Sequence, residues 1–299
     1  MRTNEQMLLN QSGYMNYREL MISSAGIRIV LSLYDAGKGR PCIVFLPGTM
    51  THPLMYDDFL ALLAENGFTV AGVHFLSHGK SPREKQLYSF QDMLQNVNDA
   101  IAYCRDNINT EIILMGSSQG GILSMAAACS DDRLKAVFAH NILLPDLPSS
   151  ICVTNFPHFL KPLSRLVKSM MKLAALVVPA RQIPVTSYLD FHRISRSDEV
   201  KEFFYTDPIG LTSYPLYFLS SLFNADLSRI KDGSIKCPVV VIASKRDTLF
   251  PFSYCTEVFD LIVAPHKEML TFDEPYHLIF NECPERVIGP IIDKLRQYA

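Results

Sequence analysis

The run Glu111-Ile112-Ile113-Leu114-Met115-Gly116-Ser117-Ser118-Gln119-Gly120-Gly121 carries the first decisive pattern of the chain. Five residues of strand character, Glu111–Met115, lead into a glycine-flanked turn, and the Ala-, Leu- and Met-rich segment Gln119–Cys129 follows at helix length. Gly116, Ser118 and Gly120 are in frame for G-x-S-x-G at a strand-to-helix turn, and Ser117 is not. The spacing has a steric reason: a side chain two residues before or after the serine would collide with the flanking strand or helix. The helix N-terminus beyond the turn also favours negative charge developing on a nearby oxygen. The plainer alternative for Ser118 is a small residue in a tight turn.

Working outward, the same alternation repeats. Short apolar runs at Pro41–Leu46, Phe68–His74, Ala136–His140, Pro238–Ala243 and Glu268–Phe272 read as strands buried on both faces. Helix-length amphipathic segments lie at Pro53–Asn66, Ser89–Asp106, Ser253–Val263 and Pro284–Tyr298. This alternation predicts an α/β fold: a mostly parallel, doubly wound sheet covered by helices on both sides. Tyr17–Ile22 and Ile27–Tyr34, separated by Ser-Ser-Ala-Gly, read as an N-terminal hairpin. From about Leu144 to Asp232 no clear strand appears, while Pro and aromatic residues are frequent. A stretch of that length is too long for a loop. It reads as an inserted helical cap, giving a core of residues 1–143 and 236–299 around a subdomain at 144–235.

Composition excludes several classes. Lys and Arg total 28 against 30 Asp and Glu, so no basic excess exists to bind phosphate backbones and no nucleic-acid partner is expected. With 48% hydrophobic residues the chain is not a disordered polymer. The densest apolar window, Leu173–Ala180, falls short of the ~18 residues a membrane span needs. The polar N-terminus lacks a signal-peptide h-region, so a cytoplasmic location is expected. The seven cysteines form no C-x-x-C pair and read as reduced core residues. No histidine or acidic pair at ligand spacing has an obvious partner, and neither a metal nor any other cofactor is expected.

A serine hydroxyl needs a base, and the base an orienting carboxylate. Downstream of Ser118, Asp247 follows the strand Pro238–Ala243 and His277 follows the strand Glu268–Phe272, which puts both at carboxyl ends of parallel strands, where Ser118 also emerges. Asp247 has an alternative role as a helix N-cap, and Asp260 and Asp273 compete for the acid position. His52, His74, His78 and His140 lie near strand ends and read as polar loop or core residues.

With these residues in place, the chain resembles the α/β-hydrolase superfamily, nearest its capped lysophospholipase and monoacylglycerol-lipase-like branch, which shades into serine aminopeptidases. The resemblance covers roughly residues 17–143 and 236–299. It rests on the elbow, on His277-Leu278-Ile279-Phe280-Asn281-Glu282, on the Asp247 loop ending in Pro251, and on Gly79-Lys80-Ser81 after His78. The sequence departs from the family where His74, Leu76 and Ser77 replace the usual Asp, Arg and Gly. It departs again where Pro47-Gly48-Thr49-Met50 stands in place of His-Gly. The resemblance implies Thr49 and Gln119 backbone N–H groups as the oxyanion hole, and a serine hydrolase of hydrophobic, acyl-type esters. The alternatives are a thioesterase or aminopeptidase/amidase on the same triad, for which Asp198-Glu199 and Glu202 are the available ammonium-binding carboxylates, or a non-catalytic ligand binder.

One more signal lies in the insert. Lys161, Arg165, Lys168 and Lys172 recur on one helix stripe, with Leu163, Leu166, Val167, Met170 and Leu173 on the other side. This is expected to be an ordinary cap helix with its apolar side over the active site; the basic stripe also allows peripheral lipid contact. The oligomeric state is not legible.

Overall fold

Residues 12–195 and 197–299 are described by a computed structural model; Arg196, residues 1–11 and the side chains of His158, Leu160 and Glu199 lie outside it. Most of the polar N-terminal stretch therefore falls outside the described residues, as does Glu199 as a candidate carboxylate.

Eight strands form one sheet: β1 (Tyr17–Ser24), β2 (Ile27–Tyr34), β3 (Cys42–Leu46), β4 (Thr69–His74), β5 (Ile112–Ser117), β6 (Ala136–His140), β9 (Val239–Ser244) and β10 (Lys267–Phe272). Their order is β1-β2-β4-β3-β5-β6-β9-β10. The first three pair antiparallel and the rest run parallel, so the mostly parallel sheet expected from the sequence is present. Ala25 and Gly26 close the β1–β2 hairpin, both at positive φ, as a two-residue turn that follows strand twist requires.

The helices α1 (Asp57–Glu65), α2 (Phe90–Asn107) and α3 (Gln119–Ala128) follow β3, β4 and β5. Between β6 and β9, neighbours in the sheet, the chain makes a long excursion. It contains α4 (Ser164–Val177), α5 (Phe191–Ile194), α6 (Asp198–Thr206) and α7 (Leu216–Phe223). Contrary to the strandless reading of this region, β7 (Gln182–Pro184) and β8 (Ser213–Pro215) pair into a small second sheet. Three-residue strands bounded by proline leave almost no periodic signal. Helices α8 (Phe252–Leu261), α9 (Ile279–Glu282) and α10 (Pro284–Leu295) complete the chain.

Successive strand residues feed opposite faces of the sheet. Val44, Leu46 and Leu114 join a core with α2, α3 and α8, while Ile43, Phe45, Ile113 and Met115 join one with α1 and α10. That division is why β3, β5 and β6 read as unbroken apolar runs: every side chain is covered. Helix α2 starts on a capping box, Ser89 and Asp92 satisfying each other's backbone N–H groups.

Candidate active site

Ser118 sits between β5 and α3 with φ 53° and ψ −111°, a conformation that costs a non-glycine residue energy and that the surroundings must enforce. Its own N–H donates to the His140 carbonyl at 2.8 Å. A Cβ on Gly116 would stand 2.1 Å from the Gly120 carbonyl oxygen, and one on Gly120 would stand 2.0 Å from that of Leu46. Both glycines expected from the motif are therefore sterically required. The turn pins the serine at the carboxyl edge of the sheet.

Asp247 and His277 come together there although a helix, Phe252–Leu261, and β10 separate them in the chain. His277 Nδ1 donates to Asp247 Oδ2 at 3.0 Å, with both side chains almost fully buried. The other carboxylate oxygen accepts the N–H groups of Leu249 (2.7 Å) and Phe250 (2.8 Å). Burial pushes the Asp247 carboxyl up, but the charge and hydrogen bond of His277 outweigh it and hold the group below its ordinary value. Phe250 stacks flat on the His277 ring, centroids 5.2 Å apart, which limits ring rotation. The alternatives recede: α8 begins after Pro251, so Asp247 is not its N-cap. Asp273 is exposed and paired to Arg246, and Asp260 is exposed.

Two residues that sequence reasoning left without a role complete this corner. Asn141, at φ 57°, directs its amide nitrogen to Asp247 Oδ2 at 2.7 Å and to His140 Nε2 at 2.8 Å. Those two bonds use both amide protons, so the 3.1 Å approach of the same nitrogen to His277 Nδ1 is a contact and not a third donation. With Nε2 of His140 accepting, its Nδ1–H donates to Ser117 Oγ at 3.1 Å. Burial, and then the charge of nearby His277, lowers the His140 pKa to about 3, so this ring stays neutral beside the Asp247–His277 pair. Only the position of His140-Asn141 at a strand end hinted at this.

Thr49, in the loop after β3, and Gln119, at the start of α3, flank the serine. Gln119 is the first residue of α3, where a helix leaves its N–H groups without intrahelical acceptors. On either side of Thr49, the Gly48 and Met50 amides donate to the hydroxyls of Tyr56 (3.2 Å) and Tyr214 (2.8 Å). The Thr49 hydroxyl donates to Gln119 Oε1 at 3.0 Å, tying the two candidate donors together. Met50 holds φ 68°, the bend that turns this loop toward Ser118. The altered Pro47-Gly48 segment thus has a tyrosine brace, one half of it from the 141–238 excursion.

Two small cavities meet at Ser118. One, of about 20 Å³, is lined by Ser118 and His277 with Leu189, Ile194 and Phe204 of the excursion. The other, of about 40 Å³, is lined by Ser118 and Gln119 with Ile122, Leu143, Leu222 and Phe223. Cavities of that size admit no more than a few water molecules, so a substrate enters only if the excursion or its side chains give way. No Asp or Glu lines either cavity among the described residues. The excursion is held down by Arg193, which donates to the carbonyls of Thr248 and Leu249 beside the Asp247 loop, and by a buried 2.5 Å contact of His52 Nε2 with Asp207 Oδ2. Of the four histidines near strand ends, His74 and His78 are also buried, and burial lowers both, His78 to about 3.

Comparison with known proteins places these residues in context. A family model described as serine aminopeptidase, S33, matches residues 37–284. The AB hydrolase superfamily protein YisY of Bacillus subtilis is 24% identical over 262 residues, which cover 87% of this chain and 92% of that protein. The monoacylglycerol lipase of Paleococcus ferrophilus superposes with a TM-score of 0.72 at 20% identity, over 95% of this chain and all of that one. A soluble variant of monoglyceride lipase from Saccharomyces cerevisiae, solved with a substrate analogue, gives 0.70 at 15% identity over 93% of each chain. At these identities the structural likeness speaks for the fold.

Proposed function

The chain belongs to the serine aminopeptidase S33 family of α/β-hydrolases, and on that premise we propose that it is a serine hydrolase of hydrophobic carboxylic esters. Ser118, His277 and Asp247 form its triad in this reading, and residues 144–235 serve as its cap. The observation that carries it is the buried Asp247–His277 hydrogen bond opening onto the same cavity as a serine in a strained elbow. His277 takes the proton of Ser118 Oγ as that oxygen attacks the ester carbonyl, and Asp247 holds the imidazolium in place. The N–H groups of Thr49 and Gln119 receive the oxyanion. The intermediate collapses as His277 gives its proton to the leaving alcohol, and water frees the acyl group by the reverse route.

The substrate class follows from the walls. Leu, Ile and Phe side chains from both core and cap surround Ser118, which suits an acyl chain and gives a free ammonium no counter-charge among the described residues. That favours an ester over an aminopeptide substrate despite the family description. The test is labelling by a fluorophosphonate probe, followed by turnover of p-nitrophenyl esters of graded chain length. Label on Ser118, lost in Ser118→Ala, with turnover rising from acetyl to medium acyl chains, is expected. Labelling that persists in Ser118→Ala, or faster cleavage of aminoacyl amides than of esters, overturns it.

A further inference from the structure

The longest helix of the excursion turns its apolar side outward, the reverse of what its sequence led us to expect. The face of α4 that meets the protein carries Ser164, Lys168, Met171 and Ala175, at spacings of four, three and four, with Val167 half-buried at its margin, and only Ala175 is fully buried. Lys168 spends its ammonium group on the Pro145 carbonyl, at 3.1 Å. On the opposite side stand Leu166, Met170, Leu173 and Val177, exposed by 55, 61, 64 and 80%. Leu163 and Phe159, also exposed, extend the strip through the preceding 3-10 turn. A surface helix ordinarily buries this face, and a contiguous apolar strip left in solvent marks a contact surface.

The charges around the strip identify the partner. From residue 147 to 189 there is no Asp or Glu, while Lys161, Arg165, Lys168, Lys172 and Arg181 all fall there, in a chain whose net charge is −2. Arg165 and Lys172 are exposed and flank the aliphatic strip along one side. Cations beside a row of Leu, Met and Val match an anionic bilayer, in which the alkyl groups sink below the phosphates and the long basic stems reach back to them. A second copy packed antiparallel on this strip would set each basic flank against its equivalent, which disfavours it as the occupant. We propose that α4 is a docking surface for anionic phospholipid membranes. The proposal goes beyond the ester-hydrolase reading and does not depend on the chemistry of Ser118.

The test is flotation of the full chain with vesicles of phosphatidylcholine alone and of phosphatidylcholine mixed with phosphatidylserine. The chain is expected to float with the phosphatidylserine vesicles and to be released by high salt. Arg165→Gln with Lys172→Gln should weaken binding about fivefold for each charge. Leu166→Ser with Leu173→Ser should weaken it about tenfold or more while leaving p-nitrophenyl acetate hydrolysis in vesicle-free buffer unchanged, since neither residue lines a cavity at Ser118. Ser118→Ala should float like the parent, so loss of one property leaves the other standing. The proposal is overturned by absence of flotation with either vesicle, by equal flotation with phosphatidylcholine alone, or by a double leucine variant that floats like the parent. A dimer of the parent that this variant dissociates overturns it too, by naming a second copy as the occupant.

Discussion

The sheet and the excursion between β6 and β9 use the same apolar residues in opposite ways. In β3, β5 and β6 every residue is covered, and alternate side chains supply two cores. In α4 one residue of fourteen is buried, and the leucines face solvent. The first region is fixed by packing and holds Ser118, Asp247 and His277 in register. In the second, Tyr214, Phe218 and Leu222 pack into the core beside Arg193, which bonds to the Asp247 loop, while α4 rides outside them. The lesson is a division within one chain: packing fixes the edge that carries the candidate chemistry, and α4 keeps its apolar side in solvent.

The sharpest way to break that division is to remove the nucleophile. Ser118→Ala should lower kcat/KM for a p-nitrophenyl ester by about a thousandfold or more while leaving the melting temperature nearly unchanged. A residual rate within tenfold of the parent would move the chemistry off the elbow. Acid is the next largest lever, and it acts on the core. His78 and His140 titrate at about 3 in the folded chain against an ordinary 6.5, so the unfolded chain binds their protons first as pH falls. Stability is complete above about pH 6.5 and declines below it by about 1.4 kcal/mol per pH unit for each ring, until the folded values are reached. Asp207 and Asp247, held below their ordinary value of 3.8, add a further loss once the pH falls below that value. Urea titrations from pH 7 to 4 should show the midpoint falling steadily, and His140→Gln should flatten the slope. A pH-independent midpoint would mean these rings are not buried neutral.

How much of this could be read from the chain alone follows the same divide. Strands β3, β5, β6 and β9 were legible to within a residue or two because double-sided burial leaves an unbroken apolar run. The elbow was legible because sterics at Gly116 and Gly120 permit no other residue. Asp247 and His277 were legible through their position after strands, which is where parallel sheets gather side chains. Asn141 and His140 were not, because their roles depend on a left-handed backbone and a lateral contact that no spacing encodes. Nor was the orientation of α4: periodicity reports that one face is apolar and is silent about which way it points. The sheet β7–β8 and the Asp207 contact join residues far apart in sequence through irregular chain, the part of a fold that local patterns describe least.

Leucine truncations compare the two regions directly. Leu114, fully buried at the centre of β5, should cost about 2–5 kcal/mol on Leu114→Ala, measured by urea unfolding. The fastening of the excursion should matter less. Asp207→Asn keeps the shape but removes the charge facing buried His52, and about 1–3 kcal/mol is expected, with a change in KM for a bulky ester larger than that in kcat. An equal loss in kcat would mean that Asp207 supports the chemistry and not only access.

The smallest expected effect is the most discriminating. Leu173→Ala removes as many carbon atoms as Leu114→Ala, yet Leu173 is 64% exposed, and its loss should shift stability by less than about 0.5 kcal/mol. The two substitutions are chemically identical, so any difference between them measures environment alone. If Leu173→Ala also cost 2 kcal/mol, α4 would have to pack its apolar face against the protein in solution. The contrast between a packed edge and an outward-facing helix would then collapse, and the exposed strip with it. A near-zero value, together with loss of vesicle binding in the paired leucine variant, would leave those leucines with a purpose outside the fold.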